Sequence, residues 1–221
     1  LEGLVGAFES LRDAFAAKGR EFDGIVKAGR THLQDAMPIR LGQEFTAYAG
    51  TLGRGIKRVK ESADYLRDLG IGGSAVGTGV NVEPEYPALM VKHLREISGL
   101  ELREGADRIQ LMQSMGDVAG FSAMLRVLAI DLSKIVSDLR LMAMGPRTGI
   151  DELRLPAVQP GSSIMPGKIN PSIPEMVNQV CFQVVGNDTT VSMAAEHGQL
   201  ELNVMMPVIA HNVLLSMQIL K

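Results

Sequence analysis

Between Val118 and Met142 the residues Val118, Phe121, Leu125, Leu128, Leu132, Ile135, Leu139 and Met142 recur in alternating steps of three and four. That spacing fits a period of 3.6 and not a period of two, so it predicts one unbroken helix, stopped at Gly145-Pro146. Roughly 25 to 30 residues at 1.5 Å each make a rod of about 40 Å, longer than one small domain needs. Such a rod needs apolar partners along its whole length. The chain supplies them: Phe45, Ala49, Leu52, Ile56, Val59, Ala63 and Leu66 form a second stripe. Val177, Val180, Val184, Val191 and Ala194 form a third, and Val208 to Leu220 reads as a fourth helix. Hydrophobic residues make up 46% and aromatics only 4%. This favours aliphatic helix-on-helix packing over a β-sandwich. The expectation is an all-α fold, a long-helix bundle shared between subunits.

The 221 residues contain no repeat, low-complexity stretch or Pro/Ser linker, so one continuous helical domain, 1–221, is expected. Both ends lie in helical patterns, which suggests the middle of a longer protein. A net charge of −3 argues against a nucleic-acid partner. No apolar run reaches the roughly 18 residues of a membrane span, and no signal-peptide pattern is present. The lone Cys181 excludes an intrachain disulfide and fits a reducing compartment, the cytoplasm. It sits in an apolar helical pattern and reads as a buried small hydrophobe, not a nucleophile.

Residues 1–28 read as one or two amphipathic helices with a break near Gly19, and 29–45 as a polar loop punctuated by Gly29 and Pro38. Within that loop His32 is open to two readings, a surface imidazole or a functional one. Five glycines between Gly70 and Asn81 demand loop conformations; glycine packing against helices is the stronger reading, with Thr78 and Asn81 as plausible site neighbours. Residues 84–98 read as a helix closed by Gly99, with His93 on the surface.

The stretch Gly161-Ser162-Ser163-Ile164-Met165-Pro166-Gly167-Lys168-Ile169-Asn170-Pro171 comes after a Pro-rich approach and precedes the third helix. It offers two hydroxyls, an ammonium and a carboxamide between flanking glycines, the parts of an anion site with a built-in proton acceptor. A solvated Ser-rich loop has the same composition. Ser172 and Glu175 then have the spacing of a capping box. Polar residues Asn178, Asn187 and Asp188 on the third stripe read as hydrogen-bonding groups of the bundle core.

Gly-Ser-Ser-x-Met-Pro-x-Lys-x-Asn-Pro resembles the signature of the fumarase/aspartase superfamily, whose members eliminate a group from a succinyl-type substrate to give fumarate. Gly29-Arg30-Thr31-His32-Leu33-Gln34-Asp35-Ala36, with Pro38 and Leu41-Gly42-Gln43, resembles a second shared region, in the family's order. Gly167 and Ile169 fit the fumarase and aspartase branches alike, and the text from Val177 to Met205 is similar to the aspartase branch; Met206 stands where aspartases carry Glu and fumarases Lys. The resemblance implies elimination of ammonia from L-aspartate. Hydration of fumarate is the alternative within the family, and a non-catalytic scaffold, as in lens crystallins, the alternative outside catalysis. It implies Ser162 as general base, Thr31 and His32 as carboxylate binders, and Lys168, Asn170 and Ser163 as further substrate contacts. Glu175 would pair with His32. It further implies a homotetramer with active sites shared between subunits, a small dicarboxylate as partner, and no cofactor or metal. A separate N-terminal segment of the family, unmatched in 1–221, binds the substrate's other end, so the isolated fragment is expected to be inactive.

Overall fold

The computed structural model describes residues 1–221. Seven α-helices account for most of it, about 60% of residues being helical, so the all-α expectation holds. In order these are α1 (Glu2–Glu21), α2 (Leu41–Ala63), α3 (Tyr86–Ser98), α4 (Arg108–Gln113), α5 (Gly116–Met142), α6 (Ser172–Glu196) and α7 (Met206–Leu220). An antiparallel hairpin of β1 (Val26–Thr31) and β2 (Gln34–Arg40) lies between α1 and α2, and β3 (Asp68–Leu69) pairs in parallel with β4 (Arg103–Glu104). The chain falls into two compact units: residues 1–56, 127–184 and 218–221 form the first, and 57–126 with 185–217 the second. No helix is long and apolar enough to cross a membrane.

In the first unit α1 and α2 meet through an aromatic cluster. Phe15 and Phe45 lie 5.9 Å apart, Phe22 stands edge-on to Phe45 at 5.1 Å, and Tyr48 closes the group at 5.8 Å from both Phe15 and Phe45. The stripe predicted for α2 faces inward here, with Phe45, Ala49, Leu52 and Ile56 all buried. The stripe on α5 supplies Leu128, Leu132 and Ile135. Gly19 does not break α1, as the sequence suggested. It is buried near the end of the helix and lets the backbone of α2 come close. A Cβ on Gly42 would stand 2.3 Å from the Gly19 carbonyl oxygen and 2.6 Å from Asp23 Cα. The helical reading up to residue 28 is also corrected, because Val26 already starts β1.

The second unit holds the ends of the long helices that buried Val59, Phe121, Leu125 and Val191 line. Arg103 fastens β4 to the chain after α2 through Asp68 at 2.6 Å and Asp64 at 3.1 Å. The glycine run packs structurally: a side chain on Gly77 would meet the Ile109 backbone at 2.5 Å. Asp188 accepts from Ser122 Oγ at 2.7 Å and Arg126 Nε at 2.6 Å, and Asn187 donates to Ser216 at 3.0 Å. These are the core hydrogen-bonding roles predicted for both residues. Asn203, fully buried, ends α6 by donating to the Ala194 and Ala195 carbonyls and accepting from Met205 N–H. Gly99 closes α3 in the left-handed conformation, and His93 is exposed beside Glu96, both as expected.

The contact between α1 and α2 generates a stability test. Alanine at Gly42 gains at most about 1 kcal/mol in helix propensity. Its methyl must displace backbone, not a flexible side-chain end, and overpacking of that kind costs about 1–3 kcal/mol or more. Gly42→Ala is therefore expected to lower the denaturant midpoint of unfolding, whereas Gly50→Ala, with nothing near its added Cβ, should raise or preserve it.

Candidate active site

The segment read as a loop at 29–45 is a hairpin running straight into α2. Its sequence shows no alternation because neither strand buries one face: β1 is half-buried along its middle and β2 is exposed apart from Ile39. Thr31 pairs with Gln34, leaving His32 and Leu33 as a two-residue turn with φ of 54° and 59°. This is the turn for which Asn-Gly is the usual choice. A left-handed conformation costs a non-glycine residue about 1–2 kcal/mol, and both side chains here are exposed. The fold thus holds His32 in a strained backbone conformation at an exposed tip, where no packing offsets the strain. Strain retained without a packing reason points to function.

A charged cluster anchors the hairpin. Lys27, its side chain only 9% exposed, places Nζ 2.9 Å from Glu44 Oε1 and 2.7 Å from Glu152 Oε2. Arg30 donates to Glu152 Oε1 at 2.8 Å and approaches Asp35 at 3.2 Å. Burial works against the charge on Glu152, but the hydrogen bonds from Lys27 and Arg30 outweigh it and hold the carboxyl below its ordinary 4.5. The cluster was not visible in the sequence. Glu152 lies in an aperiodic stretch, far along the chain from both partners.

The signature stretch forms a closed loop. Asn170 Nδ2 donates to the Gly161 carbonyl at 3.0 Å, and a Cβ on Gly161 would overlap the Lys168 carbonyl oxygen at 1.6 Å. The neck can therefore close only on glycine. Ser162 Oγ accepts from Ile164 N–H at 3.3 Å, one backbone donor toward a developing serinate. Lys168 and Ser163 are exposed, and the ammonium has no carboxylate partner within the chain. Thus Ser162, Lys168 and Asn170 are gathered on one loop, while Thr31 and His32 stand at the hairpin tip and share no hydrogen bond with it.

Glu175 departs from the sequence reading. The first helical bond of α6 is already accepted by Pro171, Ser172 Oγ receives Gln159 Nε2 at 2.7 Å, and Glu175 turns to Arg140 Nη2 at 3.4 Å. The capping box is replaced by these contacts, and within one chain Glu175 faces Arg140, not His32. Arg140 Nη1 also donates to Asn178 Oδ1 at 3.1 Å; Asn178 is 3% exposed and donates to Ser133 and Ser137. Asn178 is thus the core hydrogen-bonding residue expected. Burial pushes the Cys181 thiol up to about 11, in keeping with an inert core residue.

A family model described as a lyase matches residues 1–186. The chain belongs to the fumarase/aspartase lyase family. It is 53% identical over 221 residues to the aspartate ammonia-lyase of Bacillus subtilis strain 168, covering 100% of this chain and 46% of that one. Against the Escherichia coli K12 aspartate ammonia-lyase it is 48% identical over 217 residues, 98% of this chain and 45% of that. The chain therefore spans about half the length of the curated relatives it matches. Among solved structures, a cobalt-bound fumarate lyase (delta crystallin) from Brucella melitensis superposes with a TM-score of 0.96 at 52% identity, over 99% of this chain and 48% of that chain. A class II fumarase from Schistosoma mansoni gives 0.92 at 33%, over 98% and 48%. Membership places the hairpin tip and the closed loop in a lyase framework.

The charged cluster predicts a pH dependence. A carboxyl whose folded pKa is depressed adds stability above its unfolded value and loses it as pH falls through the folded one. Glu152→Gln should therefore melt below wild type at pH 7, by an amount corresponding to about 1–3 kcal/mol. The gap should narrow as pH drops below 4.5. Thermal melts of the two proteins from pH 3 to 7 check this.

Proposed function

We propose that these residues belong to an aspartate ammonia-lyase, reversibly eliminating ammonia from L-aspartate to give fumarate. The observation that carries the reading is identity of 53% to such an enzyme across all 221 residues, with the closed loop intact within that span. Ser162 removes a C3 proton, assisted by the Ile164 N–H. The electron pair moves into the β-carboxylate, giving an aci-carboxylate that carries one further negative charge. Thr31, His32, Lys168, Asn170 and Ser163 surround that carboxylate, with the unpaired Lys168 ammonium as its main counter-charge. Stabilisation of charge that develops only in the transition state is worth several kcal/mol where water is excluded. The C2–N bond then breaks and ammonia leaves with its electron pair.

Thr31 and His32 share no hydrogen bond with the loop of their own chain, which supports a site completed by other subunits of a homotetramer. Glu175 would there meet a partner's imidazole while Arg140 holds its other side. The uncovered apolar residues Ile130 and Phe182 of the first unit, and Met193 and Leu214 of the second, support burial in such an assembly. The single buried thiol fits a cytoplasmic setting. The 221 residues form one central part of the lyase and by themselves assemble without turning over substrate.

The test is fumarate formation, followed by ultraviolet absorbance, from full-length protein given L-aspartate and L-malate separately. Turnover of aspartate alone is expected; turnover of malate alone would move the chain to the hydratases, and turnover of neither would favour a scaffold. Ser162→Ala should lower kcat by about 10²–10⁴-fold with assembly unchanged.

A further inference from the structure

In a regular strand side chains alternate, so Lys27 and Arg30, three positions apart on β1, would project to opposite faces. Here both reach the two oxygens of one carboxylate, Glu152, at 2.7 and 2.8 Å. The hairpin bends between the two. Gly29 lies opposite Met37 but Arg30 lies opposite Asp35, so Ala36 is an extra residue and the ladder bulges. A side chain on Gly29 would sit 2.7 Å from the Met37 carbonyl oxygen, so the bulge requires glycine there. The extra residue belongs to β2, so it leaves the alternation of β1 as it is but bends the hairpin and increases its twist between Lys27 and Arg30. Thr31 and His32 follow directly beyond that bend.

Glu152 does not drift with the hairpin. Its N–H donates to the Met142 carbonyl at 2.9 Å, flanked by Asp151 N–H on Met144 and Leu153 N–H on Met142, at 2.8 and 3.1 Å. These bonds satisfy carbonyls that the C-terminus of α5 leaves open. Without Glu152, two cations would share a partly buried site. Lys27 would retain Glu44, and Arg30 would retain only Asp35, whose side chain is 81% exposed.

We infer that Glu152, acting with the bulge at Gly29–Arg30, is a positioning residue that sets the orientation of the Thr31–His32 tip toward the substrate carboxylate. It rests on the reading of Thr31 and His32 as carboxylate binders. Glu152 touches no reacting atom; it acts through Arg30.

The experiment uses the full-length protein and succinate, a dicarboxylate that cannot eliminate, with affinity measured by calorimetry and assembly by sedimentation. Glu152→Gln is expected to weaken succinate binding and raise KM for aspartate by about tenfold or more while the oligomer persists. Glu44→Gln, which removes the partner of Lys27 alone, should lower thermal stability and leave succinate affinity within about twofold. Equal loss of affinity in both variants would reduce Glu152 to general structural support and overturn the proposal. So would a folded Glu152→Gln that binds as wild type while Thr31→Val binds worse. Unchanged affinity in Thr31→Val would overturn the carboxylate role of the tip and this proposal with it. Should Glu152→Gln not assemble, Gly29→Ala disturbs the bulge without altering charge: lost affinity supports the proposal and wild-type affinity overturns it.

Discussion

The carboxylate of Glu152 is the point on which the first unit's functional geometry depends. It pairs with two cations from one strand, one of them nearly buried, and it does so from a backbone pinned to the end of α5. Removing a partner from such a cluster is costly because the charge left behind stays desolvated. Three parts far apart in sequence are thereby joined: the start of α2 through Glu44, the hairpin through Lys27 and Arg30, and the turn after α5. The helices give that joint something rigid to act on. The aromatic cluster and the Gly19–Gly42 approach lock α1 on α2, so the hairpin between them has fixed ends.

The polar groups the chain holds inside its helices and those it exposes do different work. Asn178, Asn187, Asp188 and Asn203 are buried and fully engaged, and they fix register and helix ends. Lys168, Ser163 and His32 are exposed, and His32 sits in a left-handed turn that stability alone does not favour. Arg140 joins the two sets. Its guanidinium lies between the buried amide of Asn178 and the carboxylate of Glu175, so a group beside the signature loop is held by the bundle core. The proposed dicarboxylate site gains from this arrangement, because the positive charge stays unpaired on the surface while its supports are locked below.

Much of the architecture was legible in the chain because long helices declare themselves: a stripe with a 3.6 period persists for many turns, and α2, α5 and α6 lie where their stripes place them. The hairpin was not legible. Neither strand covers a core on one face, so no period of two is written into Val26–Arg40, and Gly29 and Pro38 read as loop punctuation. Gly19 misled for a related reason. A glycine inside a helix signals either a break or a close neighbour, and only the neighbour's position distinguishes them.

Periodicity and contiguous motifs are local properties of a chain, so the all-α fold, the family and the loop carrying Ser162, Lys168 and Asn170 were all written in the order of residues. Tertiary structure was needed to show that Glu175 meets Arg140, that Gly161 forms the neck of a closed loop, and that Lys27 and Arg30 converge on Glu152. Each of these pairs residues distant in sequence, or a backbone atom with an absent side chain. Charge type and composition do not say which carboxylate a cation will find. That is decided by where helix ends and a single bulged residue bring the backbone.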